Sequence, residues 1–407
     1  MKSTEVNATL LKNVNKKKIL SVIDNFGSIS RVEVKNILGK NGKTVTNITN
    51  SLIEDGLITL NGYSSFTGGR RRELLTTNPS YGYLIGIQLG VHFIRGIITD
   101  FKYKVIVEEK REIPPGESKE YLIKKVQQIL SFLVKDQNIP IDKVLGIGFV
   151  ANGFYDNITG EWILSANNPN WKNVPIKKNL SEQYDVPIYI EHNTRAMALA
   201  EKHFGVAKDY NSFIYIGFGA GIGSAMIDNK GRIYRGVKNI AGELGHTAVV
   251  PNGDLCSCGK KGCLETVASG WAINKRIKAK ILAGAKTEIT DLCNGDLEKI
   301  DSAMIFGAYN NGDELATEVL NMASNYLSMS IANMINLFNP ELIVVGGDLS
   351  TLSDLFVAQL KNKIKKHTLP LSLENVKILT TSLNDDAAVL GATTLVRDSY
   401  FYIDSIN

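Results

Sequence analysis

The 407-residue sequence contains few cysteines and no long apolar segment, and both features narrow its class. No run of about 18 apolar residues occurs, so we expect no membrane-spanning helix. The opening segment, MKSTEVNATLLKNVNKKK, has no apolar core, so we do not interpret it as a signal peptide. Only 4 cysteines are present, and three of them lie close together, which fits a protein of the reducing cytoplasm.

Charge is distributed unevenly along the chain. Residues 1–80 contain 12 Lys and Arg against 6 Asp and Glu, a net charge of +6, whereas the remaining residues sum to −1. A basic N-terminal segment on a near-neutral body is typical of a nucleic-acid-binding module. A solvated charged face gives the same balance, so the residue pattern has to decide between the two.

Hydrophobic spacing predicts three short helices in the first 55 residues. The first covers residues 16–26. Ser30 is the expected N-cap of the second, because Glu33 follows three residues later and completes a capping box. The third begins near Lys43, and its small polar side chains suit base edges and phosphates in a major groove. The predicted DNA contacts of these helices are Ser30, Arg31, Lys43, Thr44, Thr46, Asn47 and Asn50.

Two alternating segments, residues 57–60 and 73–77, predict a β-hairpin after the third helix. Gly68-Gly69 and three arginines lie at its tip, so we expect a flexible cationic wing that contacts DNA through Arg70 and Arg71. Residues 1–80 are therefore predicted to form a winged helix-turn-helix DNA-binding domain. A helical module that binds a protein partner explains the helices equally well but not the basic wing.

The most specific pattern is the segment 241–265, AGELGHTAVVPNGDLCSCGKKGCLE. One imidazole and three thiols at short spacing are the donor set of tetrahedral zinc, and four protein ligands leave no open position. We therefore predict a structural zinc knuckle over residues 246–263, with the ligands His246, Cys256, Cys258 and Cys263. The alternative is three unpaired core thiols in a glycine-rich loop.

The run Gly242-Glu243-x-Gly245-His246, followed by Cys256-x-Cys258-Gly259-x-x-Gly262-Cys263-x-Glu265, resembles the signature of the ROK family. This family contains sugar kinases and sugar-responsive repressors. The resemblance implies that the His and the three Cys bind zinc, and that Glu243, His246 and Glu265 contact a sugar. For the two glutamates, a purely structural role in the loop stays open.

The resemblance extends over nearly the whole chain. The order S-R-x-E, T-V-T-x-I, L-I-x-x-G-L-I and G-G-R-R resembles the winged helix-turn-helix of ROK repressors, which ROK kinases lack. Strands that alternate with helices after residue 80 predict an α/β body. Gly-rich hairpins over residues 83–100 and 212–227 fit the two-lobed, actin-like ATPase fold that the resemblance implies.

We place the first lobe at residues 81–195 and the second at 196–407. Loops at Asn152-Gly153 and Asn167-Asn168 are expected to line the cleft between the lobes. Together with Asn193 and the residues that the resemblance implies, the predicted sugar contacts are Asn152, Gly153, Asn193, Glu243, His246 and Glu265.

Positions that serve phosphoryl transfer in ROK kinases differ in this chain. The first phosphate loop, D-x-G-G-T in the kinases, corresponds to Gln88-Leu89-Gly90-Val91-His92, and the second keeps its glycines as Gly219-Ala220-Gly221-Ile222-Gly223 but lacks the hydroxyl. The kinases' general base, an Asp, corresponds to Asn193, and an amide cannot take a proton from a sugar hydroxyl at pH 7. The adjacent His192 is interpreted as a structural imidazole. We therefore predict a degenerate kinase with no catalytic residue and no ATP requirement.

The sequence thus predicts a repressor of carbohydrate-utilisation genes that a monosaccharide releases from operator DNA. A xylose-like aldose is favoured, because the lost kinase groups and the added DNA module resemble the xylose-repressor branch. The expected partners are operator DNA, a monosaccharide and further copies of the chain, in a homodimer or a dimer of dimers. An active ROK-type sugar kinase with a DNA-binding domain and a sugar-binding scaffold that contacts protein remain as alternatives.

Overall fold

The structure is a computed structural model that describes residues 2–65, 71–114, 116–156, 158–164, 170–347 and 353–401, with side chains from residue 13 onward. Within these ranges, no helix combines the length and the apolar character that crossing a bilayer requires.

The first 77 residues form three helices and a small antiparallel sheet. In chain order the elements are α1 (Lys2–Phe26), β1 (Ile29–Ser30), α2 (Arg31–Leu38), α3 (Gly42–Glu54), β2 (Ile58–Tyr63) and β3 (Glu73–Thr77). The predicted capping box is present, because Ser30 Oγ accepts from the Glu33 N–H and Glu33 Oε2 accepts from the Ser30 N–H at 2.9 Å. Strand β3 lies between β1 and β2, so the predicted hairpin forms. Helix α1 begins fourteen residues earlier than predicted.

The next segment builds a five-stranded sheet in the order β11-β7-β4-β5-β6. Strands β4, β5 and β6 are antiparallel neighbours, whereas β7 and β11 run parallel to β4. Strands β8, β9 and β10 form a separate small sheet. The elements are β4 (Tyr83–Leu89), β5 (Phe93–Asp100), β6 (Val105–Glu112), α4 (Lys119–Ser131), β7 (Val144–Ala151), β8 (Phe154–Tyr155), β9 (Trp162–Leu164), β10 (Lys172–Val174), α5 (Ile176–Gln183) and β11 (Ile188–His192).

The rest of the chain builds a four-stranded sheet in the order β13-β12-β14-β15, with its own helices. Like the first sheet, it begins with an antiparallel hairpin and continues with parallel strands, which confirms the predicted two-lobed α/β body. The elements are α6 (Asn193–His203), β12 (Phe213–Phe218), β13 (Ile222–Ile227), α7 (Glu265–Ala268), α8 (Gly270–Leu282), α9 (Ile289–Leu292), α10 (Ser302–Asn310), α11 (Glu314–Phe338), β14 (Leu342–Gly347), α12 (Asp354–His367), α13 (Pro370–Leu373), β15 (Lys377–Thr380) and α14 (Asp386–Phe401).

The C-terminal helix α14 returns to the first sheet instead of staying with the second. It packs on β4 and β7 and along α6. The approach is close, since a Cβ added at Gly86 of β4 would lie 2.6 Å from the carbonyl oxygen of Val389. A boundary at residue 195 therefore does not separate the lobes in space, because the last helix of the predicted second lobe completes the first.

The N-terminal module and the body share one hydrophobic core. Leu20 of α1 and Val396 of α14 belong to the same buried cluster. Next to them, the Arg397 guanidinium donates two hydrogen bonds to the Asp24 carboxylate, one of them at 2.8 Å, and lies over the Phe101 ring. Arg397 is 3% exposed. The module is thus fixed to α14 of the body.

Candidate functional site

A cavity of about 340 Å³ lies between the lobes, where the turns of both large hairpins meet the first turn of α6. All six residues that the sequence predicted as sugar contacts line it: Asn152, Gly153, Asn193, Glu243, His246 and Glu265. The predicted loop at Asn167-Asn168 lies outside the described residues. The fold therefore brings the predicted contacts together from four separate parts of the chain.

Two amides line the cavity, and the buried oxygen of each lacks a hydrogen-bond donor among the described residues. Asn193, the first residue of α6, is 4% exposed, and Gln88, near the end of β4, is 6% exposed. Neither Asn193 Oδ1 nor Gln88 Oε1 accepts a hydrogen bond from any group in the described part of the chain. Buried oxygens without a donor are costly, so this end of the cavity is suited to a ligand that donates hydrogen bonds.

Glu265 is held by the backbone of the second glycine-rich turn. Its Oε2 accepts from the Ile222 N–H at 3.0 Å, and a Cβ added at Gly221 would lie 2.7 Å from the same oxygen. A Cβ at Gly223 would lie 2.7 Å from Thr194 Oγ1. These two glycines are therefore required by side chains that pack against the turn, and no bound phosphate is needed to explain them.

His246 connects the cavity to a cluster of thiols. Its Nε2 lies 3.9 Å from Glu243 Oε2 on the cavity side, and its Nδ1 lies 3.5 Å from Cys256 Sγ on the other. Burial raises the pKa of the Glu243 carboxyl, and the nearby His246 and Arg195 only partly offset that effect. The imidazole can thus bind a metal through one nitrogen and orient a carboxylate or a ligand with the other.

The predicted metal ligands converge on one point. The donor atoms of His246, Cys256, Cys258 and Cys263 all lie within 4.8 Å of one another. Tetrahedral coordination at ordinary Zn–S and Zn–N bond lengths separates two sulfurs by about 3.8 Å, and a sulfur from a nitrogen by about 3.6 Å. The observed separations are 3.7 Å between Cys258 Sγ and Cys263 Sγ, and 3.5 Å between Cys256 Sγ and His246 Nδ1. Two of the six separations therefore match tetrahedral coordination, and the other four are within 4.8 Å.

A buried ion network, which sequence reasoning missed, supports the first turn of α6. Glu191 is 1% exposed, and its carboxylate accepts from Arg195 Nε at 2.7 Å, Arg235 Nε at 3.0 Å and the Tyr155 hydroxyl at 3.0 Å. Burial alone would raise the pKa of Glu191, but the charges of Arg195 and Arg235 outweigh it and lower the pKa to about 2. The i,i+4 spacing of Glu191 and Arg195 is a signal available in the sequence. Nothing in the sequence points to Arg235.

His192 has the structural role that its interpretation required. It is the N-cap of α6, and its Nδ1 accepts from the Thr194 N–H at 3.2 Å. Burial and the charge of Arg195 lower the pKa of His192 to about 4. The ring is therefore neutral at pH 7, and Nδ1 keeps the lone pair that caps the helix above Asn193.

The N-terminal module presents a polar face along α3. Lys43, Thr46, Asn47 and Asn50 are exposed at three- and four-residue spacing, which places them on one side of the helix, and Thr44 is half-buried. The opposite side packs into the core through Val45, Ile48 and Leu52. A single side of α3 is thus free to meet a macromolecular surface.

The other predicted DNA contacts of the module are placed less favourably. Ser30 is 2% exposed, and its hydroxyl is bonded to Glu33, so its side chain caps α2 and faces the protein. Arg31 is held by hydrogen bonds to neighbouring side chains. Arg71 is exposed, and Arg70 lies outside the described residues.

Comparison with known proteins gives concordant similarities. The sequence profile of the ROK family matches residues 84–399. The putative xylose repressor of Caldicellulosiruptor sp. (strain Rt8B.4) is 34% identical over 390 residues, which are 96% of this chain and 97% of the relative. The N-acetylglucosamine repressor of Escherichia coli O157:H7 is 30% identical over 393 residues, covering 96% of this chain and 94% of the relative.

Two solved structures match different shares of this chain. A ROK family transcriptional regulator, described as a homologue of the E. coli MLC protein, is similar with a TM-score of 0.81 and 27% identity, covering 96% of this chain and 97% of that one. A ROK family glucokinase from Streptomyces griseus, in complex with glucose and AMPPNP, has a TM-score of 0.69 and 25% identity, covering 78% of this chain and 100% of that one.

Proposed function

We propose that this chain, which belongs to the ROK family, is a sugar-responsive transcriptional repressor of carbohydrate-utilisation genes. The observation that carries the proposal is the extent of the similarity. The xylose repressor aligns with 390 of the 407 residues, which must include most of the first 80. The glucokinase is matched over its full length by only 78% of the chain. The family profile begins at residue 84, so the basic N-terminal module lies outside the part that defines the family.

The module binds operator DNA as a winged helix-turn-helix. Helix α3 enters the major groove with its exposed polar face, and the β2–β3 hairpin forms the wing, with Arg70 and Arg71 at the backbone or the minor groove. Two copies in a homodimer, or four in a dimer of dimers, place their α3 helices at half-sites one or more DNA turns apart, about 10–10.5 bp per turn. Such binding takes place in the cytoplasm.

The cavity binds the sugar effector. The carboxylates of Glu243 and Glu265 and the unsatisfied oxygens of Asn193 and Gln88 all accept hydrogen bonds, and sugar hydroxyls donate them. A site of this composition rejects analogues that lack a hydroxyl, because its own buried groups are then left unpaired. The names of the similar repressors favour a xylose-like aldose.

The protein is not a kinase and has no ATP requirement. Asn193 stands where a general base has to accept a proton, and Gln88 stands where a carboxylate has to serve the metal–phosphate end. Two of the three glycines that remain in the second turn, Gly221 and Gly223, are explained by the packing of Glu265 and Thr194. The alternative, an active sugar kinase that also binds DNA, predicts ADP release with a panel of aldoses.

The Cys3His cluster holds a structural zinc ion. Its ligand spacing supports this assignment, and the ion would fix His246 and the loop that carries Glu243 at the wall of the cavity. Zinc thus contributes to the sugar site by holding His246 and Glu243 in position, and it takes no part in a reaction.

The sugar signal reaches the module through α6 and α14. Asn193 opens α6, α6 packs along α14, and α14 carries Arg397, which is paired with Asp24 of α1. Induction requires that the sugar binds the DNA-incompetent arrangement of these parts more tightly than the competent one.

Fluorescence anisotropy of the full-length protein tests the proposal, with a duplex from the region upstream of its own coding sequence and individual aldoses. We expect tight binding that a single aldose releases. Binding that no sugar affects would remove the sensor role of the cavity. Absence of DNA binding under every condition would leave the kinase or a protein-binding scaffold.

A further inference from the structure

Arg31 joins three elements of the N-terminal module. It begins α2, and its guanidinium donates to Thr49 Oγ1 at 3.0 Å and to Asn50 Oδ1 at 3.2 Å, both on α3. A third hydrogen bond, at 2.9 Å, goes to Glu73 Oε2 on β3. The Thr49 hydroxyl donates its own proton to the Thr46 carbonyl, which leaves its oxygen free to accept from Arg31. The three contacts are therefore chemically consistent with one another.

The contact with Asn50 fixes the orientation of an exposed amide. A guanidinium has five N–H donors and no acceptor, so it must face the Oδ1 of Asn50 and cannot face the Nδ2. The Nδ2 group is then the branch directed away from Arg31. Asn50 lies on the same exposed face of α3 as Lys43 and Asn47. A carboxamide without such a partner presents either branch after a simple flip.

We infer that Arg31 is a positioning residue that makes Asn50 a hydrogen-bond donor toward the operator. This inference rests on the proposed DNA-binding role of the module. A donor in the major groove selects base edges that carry an acceptor, such as guanine N7 and O6 or thymine O4, and disfavours the amino group of cytosine. Arg31 thereby sets the base preference at the position that Asn50 meets, without a contact of its own to a base.

The sequence predicted Arg31 as a direct DNA contact, and a direct contact to phosphate would have a different signature. The Arg31 side chain is 24% exposed and already paired with the Glu73 carboxylate. Loss of a phosphate contact lowers the salt dependence of DNA binding, whereas loss of an amide orientation changes base preference and leaves that dependence intact.

The test compares full-length wild type with Arg31→Lys, Arg31→Met and Asn50→Ala. Each protein selects from a duplex DNA library with a randomised core, and anisotropy then gives affinities for the enriched duplex and for its single-base variants. Asn50→Ala identifies the base position that Asn50 reads. At that same position, we expect both Arg31 variants to lose about tenfold in discrimination, with the salt slope and the other positions unchanged. Arg31→Lys keeps the positive charge but loses the planar guanidinium and its several N–H donors. It therefore distinguishes an effect of amide orientation from an effect of charge.

Several outcomes would overturn the inference. They are full base preference in Arg31→Lys, a salt slope that falls by about 0.9 in Arg31→Met, or a change at a position other than the one lost in Asn50→Ala. Thermal unfolding of each variant checks that it folds. If Arg31→Met does not fold, the base preference of Arg31→Lys alone tests the inference. A wild-type protein that enriches no sequence would instead overturn the proposed DNA-binding function and the inference with it.

Discussion

Two groups of residues line the cleft and differ in chemistry, and we call them the acidic end and the amide end. At the acidic end, formed by Glu243, His246 and Glu265, two carboxylates and an imidazole are held by a loop that carries the Cys3His cluster. The amide end consists of Gln88 and Asn193, two neutral side chains whose buried oxygens lack a hydrogen-bond donor in the part of the chain that the structure describes. The resemblance to ROK kinases implies that the acidic end keeps the family pattern and that the amide end departs from it.

The glycine-rich turn between these ends shows why glycines alone are a poor indicator of phosphate binding. Gly221 is required by Glu265 at the acidic end, and Gly223 by Thr194, which follows Asn193 at the amide end. The side chains that pack against the turn therefore account for these two glycines without a bound phosphate.

Removing a ligand from the Cys3His cluster should have the largest effect, because it dismantles the acidic end. We expect Cys258→Ser to lose zinc and the sugar response, since structural zinc sites in small peptides contribute about 10–16 kcal/mol of apparent binding free energy. Metal analysis of the purified protein and a sugar titration of its DNA complex measure both. Cys293→Ser, the same change at a buried cysteine outside the cluster, should keep the metal. Retention of zinc by Cys258→Ser would refute the ligand assignment.

Breaking the ion network around Glu191 should have the second-largest effect. Glu191→Gln leaves Arg195 buried without its charge partner, which costs about 3–5 kcal/mol of unfolding free energy. Urea denaturation measures it. The matched control is Glu182→Gln, which breaks an exposed i,i+4 pair with Lys178 and should cost under about 1 kcal/mol. Equal effects of the two substitutions would contradict the importance of burial.

The same network predicts a pH dependence. The pKa of Glu191 is lowered to about 2 by Arg195 and Arg235 despite its burial, whereas an unfolded Glu titrates near about 4.3. The folded state therefore binds this proton less readily, so the stabilisation is fully present above about pH 4.3 and is lost as the pH falls toward 2. The free energy of unfolding of wild type should therefore exceed that of Glu191→Gln by less and less as the pH falls from about 4.3 toward 2. A constant difference would place the effect elsewhere.

A methyl group in the turn tests whether packing explains the glycines. Gly221→Ala places its Cβ against Glu265 Oε2, so we expect a loss of about 1–3 kcal/mol in stability and weaker sugar binding. Gly307→Ala is the control, because Gly307 lies inside α10 with no atom within 4 Å of the added Cβ, and it should gain about 0.5–1 kcal/mol. Calorimetric unfolding and sugar titration of both variants decide. If Gly221→Ala bound sugar as tightly as wild type, the glycine-rich turn would have no part in shaping the sugar site.

Local patterns carried most of what the sequence predicted correctly. The capping box at Ser30 and the two glycine-rich hairpins depend on residues close in the chain, and each is present. The Cys3His set also follows from spacing, because a short loop brings its donors together. Residue type alone does not predict burial in α2, where Val32 is 41% exposed and Val34 faces the core.

Contacts between distant segments were not predictable. The pairing of Asp24 with Arg397 joins residues 373 positions apart, and that of Glu191 with Arg235 joins residues 44 apart. No local pattern records such a pair. The packing of α14 on the first sheet also joins distant segments, so the predicted lobe boundary at residue 195 did not take it into account.

Substitutions at Asn193 should have the smallest effect, and they show what the amide end does. If Asn193 Oδ1 accepts a hydrogen bond from a sugar hydroxyl, Asn193→Ala should weaken sugar binding by about 1–1.5 kcal/mol, roughly tenfold. Asn193→Asp keeps an acceptor at that point, so its sugar affinity should stay within about threefold of wild type. It also restores the acid that kinases use, but Gln88 still offers no carboxylate at the phosphate end, so we expect no ADP release. Turnover by Asn193→Asp would show that one proton acceptor is all that separates this cleft from a kinase. An Asp variant as weak as the Ala variant would mean that Asn193 contributes through its N–H donors, and that the two ends of the cleft differ in polarity as well as in charge.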